Sequence, residues 1–384
     1  MSSTVVIVGG GYAGTMVAKA LDDRADVILV DPRDAFVNVS GSLRATARLD
    51  WADQPFFDYG PLLTRGRVIR DSVVAVQPGG VTLADGCRVD ADHIVLATGS
   101  SHSYPARPRT TATSAAAAAD DLRATNEQLS RADRVLVLGA GPVGLELAGE
   151  IRDAWPGKRI TILDPSPEIL PACLPEVRDE LRRQLEELDI DLRLATSLAD
   201  LPHAAAATAS TFTVTTTDGE EITADIWFRT FGSRPHTAYL ADGALVRLTE
   251  RQTVPVDEHL NVIGHPTVYA LGDIADLADP KMATQAMTQA PTVIENIAAR
   301  LRGEQPVAVH EPATTHRILV PLGTRYGVGQ LTSPDGGAIA APVDVVVARK
   351  GTDLFTARFA ERFGRTATAG IDSTGTAGDG EGSG

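Results

Sequence analysis

The chain reads as an α/β protein made of two Rossmann-like units and a small C-terminal α+β domain, and three observations lead there. One glycine spacing occurs twice, as Gly9-Gly10-Gly11-Tyr12-Ala13-Gly14 and as Gly139-Ala140-Gly141-Pro142-Val143-Gly144. Each copy follows a short apolar run, Val5 to Val8 and Val135 to Leu138, and opens a stretch with helical spacing. Each helical stretch is followed by a second apolar run that ends in a carboxylate, Asp31 after Val27 to Val30 and Asp164 after Ile160 to Leu163.

That order of strand, glycine turn, helix, strand and acid is what binding of an adenine dinucleotide requires. The first glycine permits the tight turn, the second lets backbone approach a pyrophosphate, and the third brings the helix close to the strand. The helix N-terminus favours the phosphate charge, and the acid faces the ribose hydroxyls. Gly9, Gly10, Gly11, Tyr12, Ala13, Gly14 and Asp31 are therefore expected around one nucleotide, and Gly139, Gly141, Gly144 and Asp164 around another. Asp164 would repel a 2′-phosphate and so favours NADH, while the neighbouring Lys158 and Arg159 leave NADPH open. A chain that holds two dinucleotides at once is expected to transfer electrons between them.

The remaining elements follow in order. Residues 1–109 close on an apolar strand, Ile94 to Leu96, ending in Ala97-Thr98-Gly99-Ser100, and a polar, proline-containing crossing segment. An Ala-rich connecting helix over 112–131 leads into the second unit, 110–245. Inside that unit Val177 to Leu188 is a charged helix, and Thr211 to Thr217 pairs with Ile222 to Phe228 around Asp218-Gly219. Phe231-Gly232-Ser233-Arg234-Pro235 closes the unit. The chain then returns to the first unit over 246–304, through Val268-Tyr269-Ala270-Leu271-Gly272-Asp273 and a helix from about Ala283 to Arg302, which makes the first unit discontinuous. Residues 305–365 form a small β-rich domain, with alternating Val343 to Ala348 read as strand and one terminal helix; 366–384 is expected to be disordered.

Composition narrows the function. At 384 residues with 43% apolar content the chain can fill two or three cores. A net charge of −15 argues against nucleic acid as a partner, since that binding relies on clustered Lys and Arg. Cys87 and Cys173 are far apart and form no C-x-x-C pair, so neither a disulfide framework nor a thiolate metal cluster is expected, and a reducing cytoplasm fits. The eight histidines show no metal-ligand spacing; no metal is expected, and His93, His102 and His316 read as structural or surface residues. No apolar run is long enough to span a bilayer, and Ser2 excludes an N-myristoyl anchor.

With the paired fingerprints, Ala97-Thr98-Gly99 and Tyr269-Ala270-Leu271-Gly272-Asp273 in this order, the chain resembles the pyridine nucleotide-disulfide oxidoreductase superfamily over roughly residues 4–302. Ser42-Leu43-Arg44-Ala45, Gly144-Leu145-Glu146-Leu147-Ala148-Gly149-Glu150, Pro280-Lys281-Met282-Ala283 and Asp353-Leu354-Phe355 make it similar to the ferroptosis-suppressor and apoptosis-inducing-factor-2-like branch. The resemblance implies FAD in the first unit, NAD(P)H in the second, and two-electron reduction of a quinone, as in the related type II NADH dehydrogenases. It further implies Arg44 at a phosphate or the flavin edge, Asp273 at the ribityl or pyrophosphate region, and Thr98, Gly99, Gly232 and Gly272 alongside the nucleotides. Thiol relay chemistry, which needs two neighbouring cysteines beside the flavin, is not expected.

Three further residues are candidates for the chemistry. Glu146 faces the cleft if its helix is regular and would order the nicotinamide or flavin edge, or else it is a carboxylate favoured by the helix dipole. Lys281 precedes a helix whose N-terminus would point at the flavin's pyrimidine edge, where it adds to the dipole. Gln285, with Gln289 four residues on, departs from the ferroptosis-suppressor pattern and is similar to type II NADH dehydrogenases; the two amides either bind quinone carbonyls or cap backbone groups. Phe355, Phe359 and Phe363 among basic residues form either a stripe for an anionic membrane surface or core packing. Peripheral contact at the inner face of the membrane is thus an alternative to a purely cytoplasmic enzyme. Two other functions stay open: reduction of a ferredoxin or rubredoxin partner, and NADH-gated redox sensing without turnover.

Overall fold

The computed structural model describes residues 3–109 and 111–365; the C-terminal tail expected to be disordered lies outside them. A six-stranded sheet runs in the spatial order Asn261–Val262, His265–Ala270, His93–Leu96, Thr4–Val8, Asp26–Val30 and Arg67–Ile69. All neighbours pair in parallel except the Asn261–Val262 edge. Continuous β-branched runs suit strands covered on both faces, and Val5, Val6, Ile7, Val27 and Leu29 are fully buried. This sheet draws strands from before and after the second unit, because His265–Ala270 pairs with His93–Leu96.

The second sheet holds four parallel strands in the order Ile190–Arg193, Arg159–Leu163, Arg134–Leu138 and Ile226–Arg229. The strand read as Ile222 to Phe228 divides here. Glu221–Ala224 pairs with Phe212–Thr215 in a hairpin, and Ile226–Arg229 joins the parallel sheet. Asp225 sits at the break and binds the Arg134 side chain in a fork at 3.0 and 2.6 Å. Those hydrogen bonds hold its carboxyl far below the usual range. The connecting helix spans Ala115–Ser130, with the Ser114 hydroxyl accepting the Ala117 N–H at 3.1 Å as its cap.

The chain crosses between the two sheets twice, as a short antiparallel ribbon of Ser100–Ser101 with Arg234–Pro235. The C-terminal region forms a three-stranded antiparallel sheet, Ile318–Leu322, Tyr326–Thr332 and Ala338–Ala340. Val343 to Ala348 is helical, not extended: Val343–Val346 is an α-turn and Val347–Gly351 a π-turn. Val343 and Val346 are three apart, and the helical turn buries Val346 completely against Gly327 and Gly329, where a side chain on either glycine would meet it. Packing on a glycine-rich strand overrode the alternation.

The terminal helix Thr356–Arg362 returns to the first unit. Phe359 and Phe363 are 1% and 2% exposed, in an aromatic cluster with Tyr12, Phe36 and Phe57. The membrane stripe is therefore not available, since two of its three rings fill a core. Among the described residues, no helix is long and apolar enough to cross a membrane.

Arg44 joins all three parts. Its Nε and Nη2 donate to both oxygens of Glu150 at 2.9 and 2.8 Å, and its remaining donors reach the Gly351 and Thr352 carbonyls at 2.6 and 2.8 Å. Both side chains are essentially without solvent, and Trp51 stacks under the guanidinium at 4.7 Å. Replacing Arg44 with Ala would leave Glu150 charged and buried, and urea unfolding is expected to show a loss of roughly 3–5 kcal/mol. Lys at this position should restore little of it, because an ammonium cannot reproduce the planar fork.

Candidate nucleotide cleft and its junction

The two glycine loops are built alike. Gly9 and Gly139 take φ of +104° and +113°, a turn that only glycine enters cheaply. A Cβ on Gly14 or Gly144 would fall on the carbonyl oxygen of Gly9 or Gly139, so only glycine lets each helix approach. Gly11 and Gly141 face open space, at the helix N-terminus where a pyrophosphate would lie. The acids are held alike too. Asp31 accepts the Gly10 and Arg33 N–H groups at 2.7 and 2.8 Å, and Asp164 those of Ala140 and Ser166 at the same distances. Burial pushes the Asp31 carboxyl up despite these bonds.

The sites differ in what surrounds them. In the first, the Tyr59 hydroxyl donates to the Gly10 carbonyl at 2.8 Å and leaves no room for a side chain on Gly10, whereas the second loop carries Ala140 there. Arg33 and Arg107 stand near the first loop, and each has a buried Nε without a hydrogen-bond partner among the described residues. Burial pulls the Arg107 guanidinium down, with Asp273, Tyr12 and Asp31 opposing. Two under-satisfied cations beside a loop that already favours anions fit a diphosphate. The second loop has a corresponding cation in Arg229, whose Nε is likewise unpartnered and which stacks on Phe231 at 4.5 Å; Gly232, at φ +87°, lies against it.

At the junction, Glu146 is 5% exposed, and its Oε1 accepts the Lys350 ammonium at 2.6 Å; Lys350 also donates to the Leu319 carbonyl at 3.1 Å. Burial pushes the Glu146 carboxyl up, with Lys350 opposing. Tyr12 is close enough to feel this charge. Its hydroxyl accepts the Val39 N–H at 2.8 Å and donates to Asn38 at 3.1 Å, and burial raises its pKa to about 12.

Thr98 and Gly99 lie on the crossing ribbon: Thr98 donates to the His236 carbonyl at 2.7 Å, and the Gly99 carbonyl accepts the His236 N–H at 2.8 Å. Asp273 accepts the Ser100 hydroxyl, which also meets His102 Nε2 at 3.3 Å. Ala13 is buried under the first loop. Gly272 follows the returning strand at φ +77°. Lys281 donates to the Ala275 carbonyl at 2.6 Å, and burial lowers its pKa.

One sequence reading changes, and three open ones are narrowed. Arg44 does not stand free for a phosphate or a flavin, because its donors are spent on Glu150 and two carbonyls. Gln289 braces protein, with Oε1 accepting the Gly272 N–H at 2.6 Å and Nε2 donating to Asp279 at 2.9 Å. Among the described residues, Gln285, in contrast, has only a Thr288 hydroxyl at 3.2 Å on its amide. His102, read as structural or surface, is half-buried and takes the structural place, meeting the Ser100 hydroxyl that Asp273 accepts. Lys158 and Arg159 sit at the start of the strand that ends beside Asp164, roughly 16 Å away at 3.3 Å per residue. Lys158 is moreover tied to the Ala132 carbonyl.

Lys350 and Arg107 were missed as site residues. Lys350 meets its partner across 204 residues, and no local pattern signals that pairing. A cavity of about 280 Å3 between Arg152, Glu187 and Tyr326 carries no residue of either glycine loop in its walls.

Paired parallel sheets with duplicated phosphate loops define a two-nucleotide oxidoreductase, and comparison with known proteins agrees. The chain belongs to the pyridine nucleotide-disulphide oxidoreductase family, whose model matches residues 3–290. With membership comes the family's cofactor pair, FAD and a pyridine nucleotide. Ferroptosis suppressor protein 1 of Taeniopygia guttata is 31% identical over 95% of this chain and 97% of its own length. The human protein of that name is 28% identical over 91% and 93%. The sulfide:quinone oxidoreductase of Aquifex aeolicus superposes with a TM-score of 0.73 at 15% identity, over 95% of this chain and 92% of that one. Despite the family's name, both cysteines here are free, Cys87 exposed and Cys173 buried.

Truncating Glu146 to Ala would strand a mostly buried ammonium, and chemical denaturation should show a loss of about 3 kcal/mol. The paired replacement Glu146→Leu with Lys350→Met removes both charges and is expected to unfold within about 1 kcal/mol of the native chain.

Proposed function

We propose that the first unit holds FAD, the second holds NADH, and the enzyme passes two electrons to a quinone-type acceptor by alternating half-reactions. The observation that carries this reading is the duplicated loop geometry, with its unpartnered cations beside the first copy and a buried Glu146–Lys350 pair where the units meet. FAD, when bound, accepts hydride from the nicotinamide and hands electrons on singly or in pairs. The chain supplies position and charge. Arg33 and Arg107 offset the diphosphate, and Asp31 and Asp164 hold the two riboses.

Two further groups serve the junction. Glu146, whose carboxyl burial pushes up and Lys350 pulls back, holds the Lys350 ammonium and so sets the charge there. Lys281 and the N-terminus of helix Ala283–Leu301 favour negative charge at the face they meet. Gln285 has amide capacity left to meet an acceptor's carbonyl. The quinone assignment is supported by the resemblance to the ferroptosis-suppressor branch and by the shared fold of a protein named for quinone reduction.

NADH is preferred in this reading because, among the described residues, the arginines that follow the strand toward Asp164 are held in ion pairs. Arg193 there is paired with Asp191 and Glu220, and Arg178 with Glu168. The purified protein should be yellow and oxidise NADH with kcat/KM at least about tenfold above NADPH, a difference of about 1.4 kcal/mol. Quinones should outrun ferredoxin as acceptors. Asp164→Ala should narrow the coenzyme ratio, and the Glu146→Leu/Lys350→Met pair should stay folded and flavin-loaded but oxidise NADH at least about a hundredfold more slowly. Colourless protein would overturn the cofactor assignment, and unchanged turnover in the paired variant would reduce Glu146 and Lys350 to packing.

A further inference from the structure

Beneath the Gly272–Asp273 turn lies a closed polar chain that the reading above does not use. Gln289, on the second turn of helix Ala283–Leu301, grips the Gly272 N–H with one end of its amide and Asp279 with the other. The same Asp279 oxygen takes the His310 Nε2–H at 2.5 Å, and the other oxygen takes the Ala313 N–H at 3.0 Å. The Asp279 and His310 side chains are 1% and 6% exposed. Burial alone would push the Asp279 carboxyl up, but these three donors hold it below its ordinary value, so it remains an anion.

A buried anion with a full set of donors is a costly way to pin a helix, since apolar packing does that better. What the network fixes is a single backbone N–H at a left-handed glycine, immediately before the carboxylate of Asp273. The helix touches the same glycine, for a Cβ there would lie 3.4 Å from the Ala286 methyl. Asp273 is held on its other side by Ser100 on the crossing ribbon. The outer end of the chain, His310, belongs to the segment joining the long helix to the C-terminal sheet. Asn296 anchors that segment by accepting the Ala308 N–H at 2.9 Å and donating to its carbonyl at 2.8 Å.

We propose that Gln289, Asp279 and His310 form a positioning relay that presets the Gly272–Asp273 turn for FAD, so that a histidine outside both nucleotide loops sets how tightly the cofactor is held. The proposal rests on the reading that the first unit binds FAD. In it His310 is a positioning residue: it acts on Asp273 through Asp279, Gln289 and the Gly272 amide. Breaking any one link releases the turn, so the links act as a unit and their losses do not add.

The test is FAD release from the purified holoprotein, followed by recovery of flavin fluorescence, together with the flavin midpoint potential and the melting temperature of the apoprotein. His310→Ala and Gln289→Leu are each expected to raise the FAD dissociation constant by roughly tenfold or more and to shift the midpoint potential. The double variant should be no weaker than the worse single one. His310→Gln, which can still donate to Asp279, should recover most of the affinity and melt, as apoprotein, within about 2 °C of the native chain. Unchanged FAD affinity in both single variants would overturn the relay, as would additive losses, or a His310→Gln variant that melts like the native chain yet binds FAD as weakly as His310→Ala. A native chain that takes up no FAD would instead remove the reading of the first unit on which the relay depends.

Discussion

The fork between Arg44 and Glu150 is the constraint on which the arrangement of this molecule depends. Neither group can be solvated where it sits, so the helix Val39–Ala47 of the first unit and the helix Pro142–Ala154 of the second must meet with their charges in register. The same guanidinium takes up two carbonyls at Gly351 and Thr352, and so draws the C-terminal segment into the seam. An ion pair of this kind adds little stability over well-packed apolar residues, but it tolerates one geometry and penalises others heavily. The relative placement of two nucleotide loops, on which electron transfer depends, is the property such a lock protects.

The C-terminal region follows from that seam. Its sheet lies on the second unit, where Gly149 lets the helix Pro142–Ala154 approach the Leu322 backbone closely. Its last helix reaches back to bury Phe359 and Phe363 in the first unit. Between these two anchors the chain must pass the junction, and Lys350 is the residue it delivers there, opposite Glu146. The region is thus less an appended domain than a strap that completes the cleft between the other two.

The parallel strands, both phosphate loops and the two acids could be read directly from the chain, because the loops and acids meet within about thirty residues and the strands are apolar runs that only fully covered strands tolerate. The return of the chain to the first sheet was legible too, through the run ending in Gly272-Asp273. Residues whose partners lie far along the chain give no such signal. The resemblance put Arg44 at a phosphate or the flavin edge, but the carboxylate that takes it up, Glu150, is 106 positions off and leaves no local signal. Val343 to Val346 alternated well enough for a strand, but the glycines that make room for a helix there sit on Tyr326–Thr332. His102 carried no spacing signal, since its link to Asp273 runs through the Ser100 hydroxyl.

What the sequence alone determined is the pair of nucleotide-binding units and their order, since glycine spacing, apolar period and terminal acid are local requirements that no distant residue can relax. Tertiary structure alone decided which charges are free for a ligand. Arg44 and Gln289 were withdrawn into the protein, Arg33 and Arg107 were left under-satisfied beside the first loop, and Lys350 was brought to Glu146. The physical reason is that a buried polar group is defined by the partner that satisfies it, and these partners are set by how the three parts pack together.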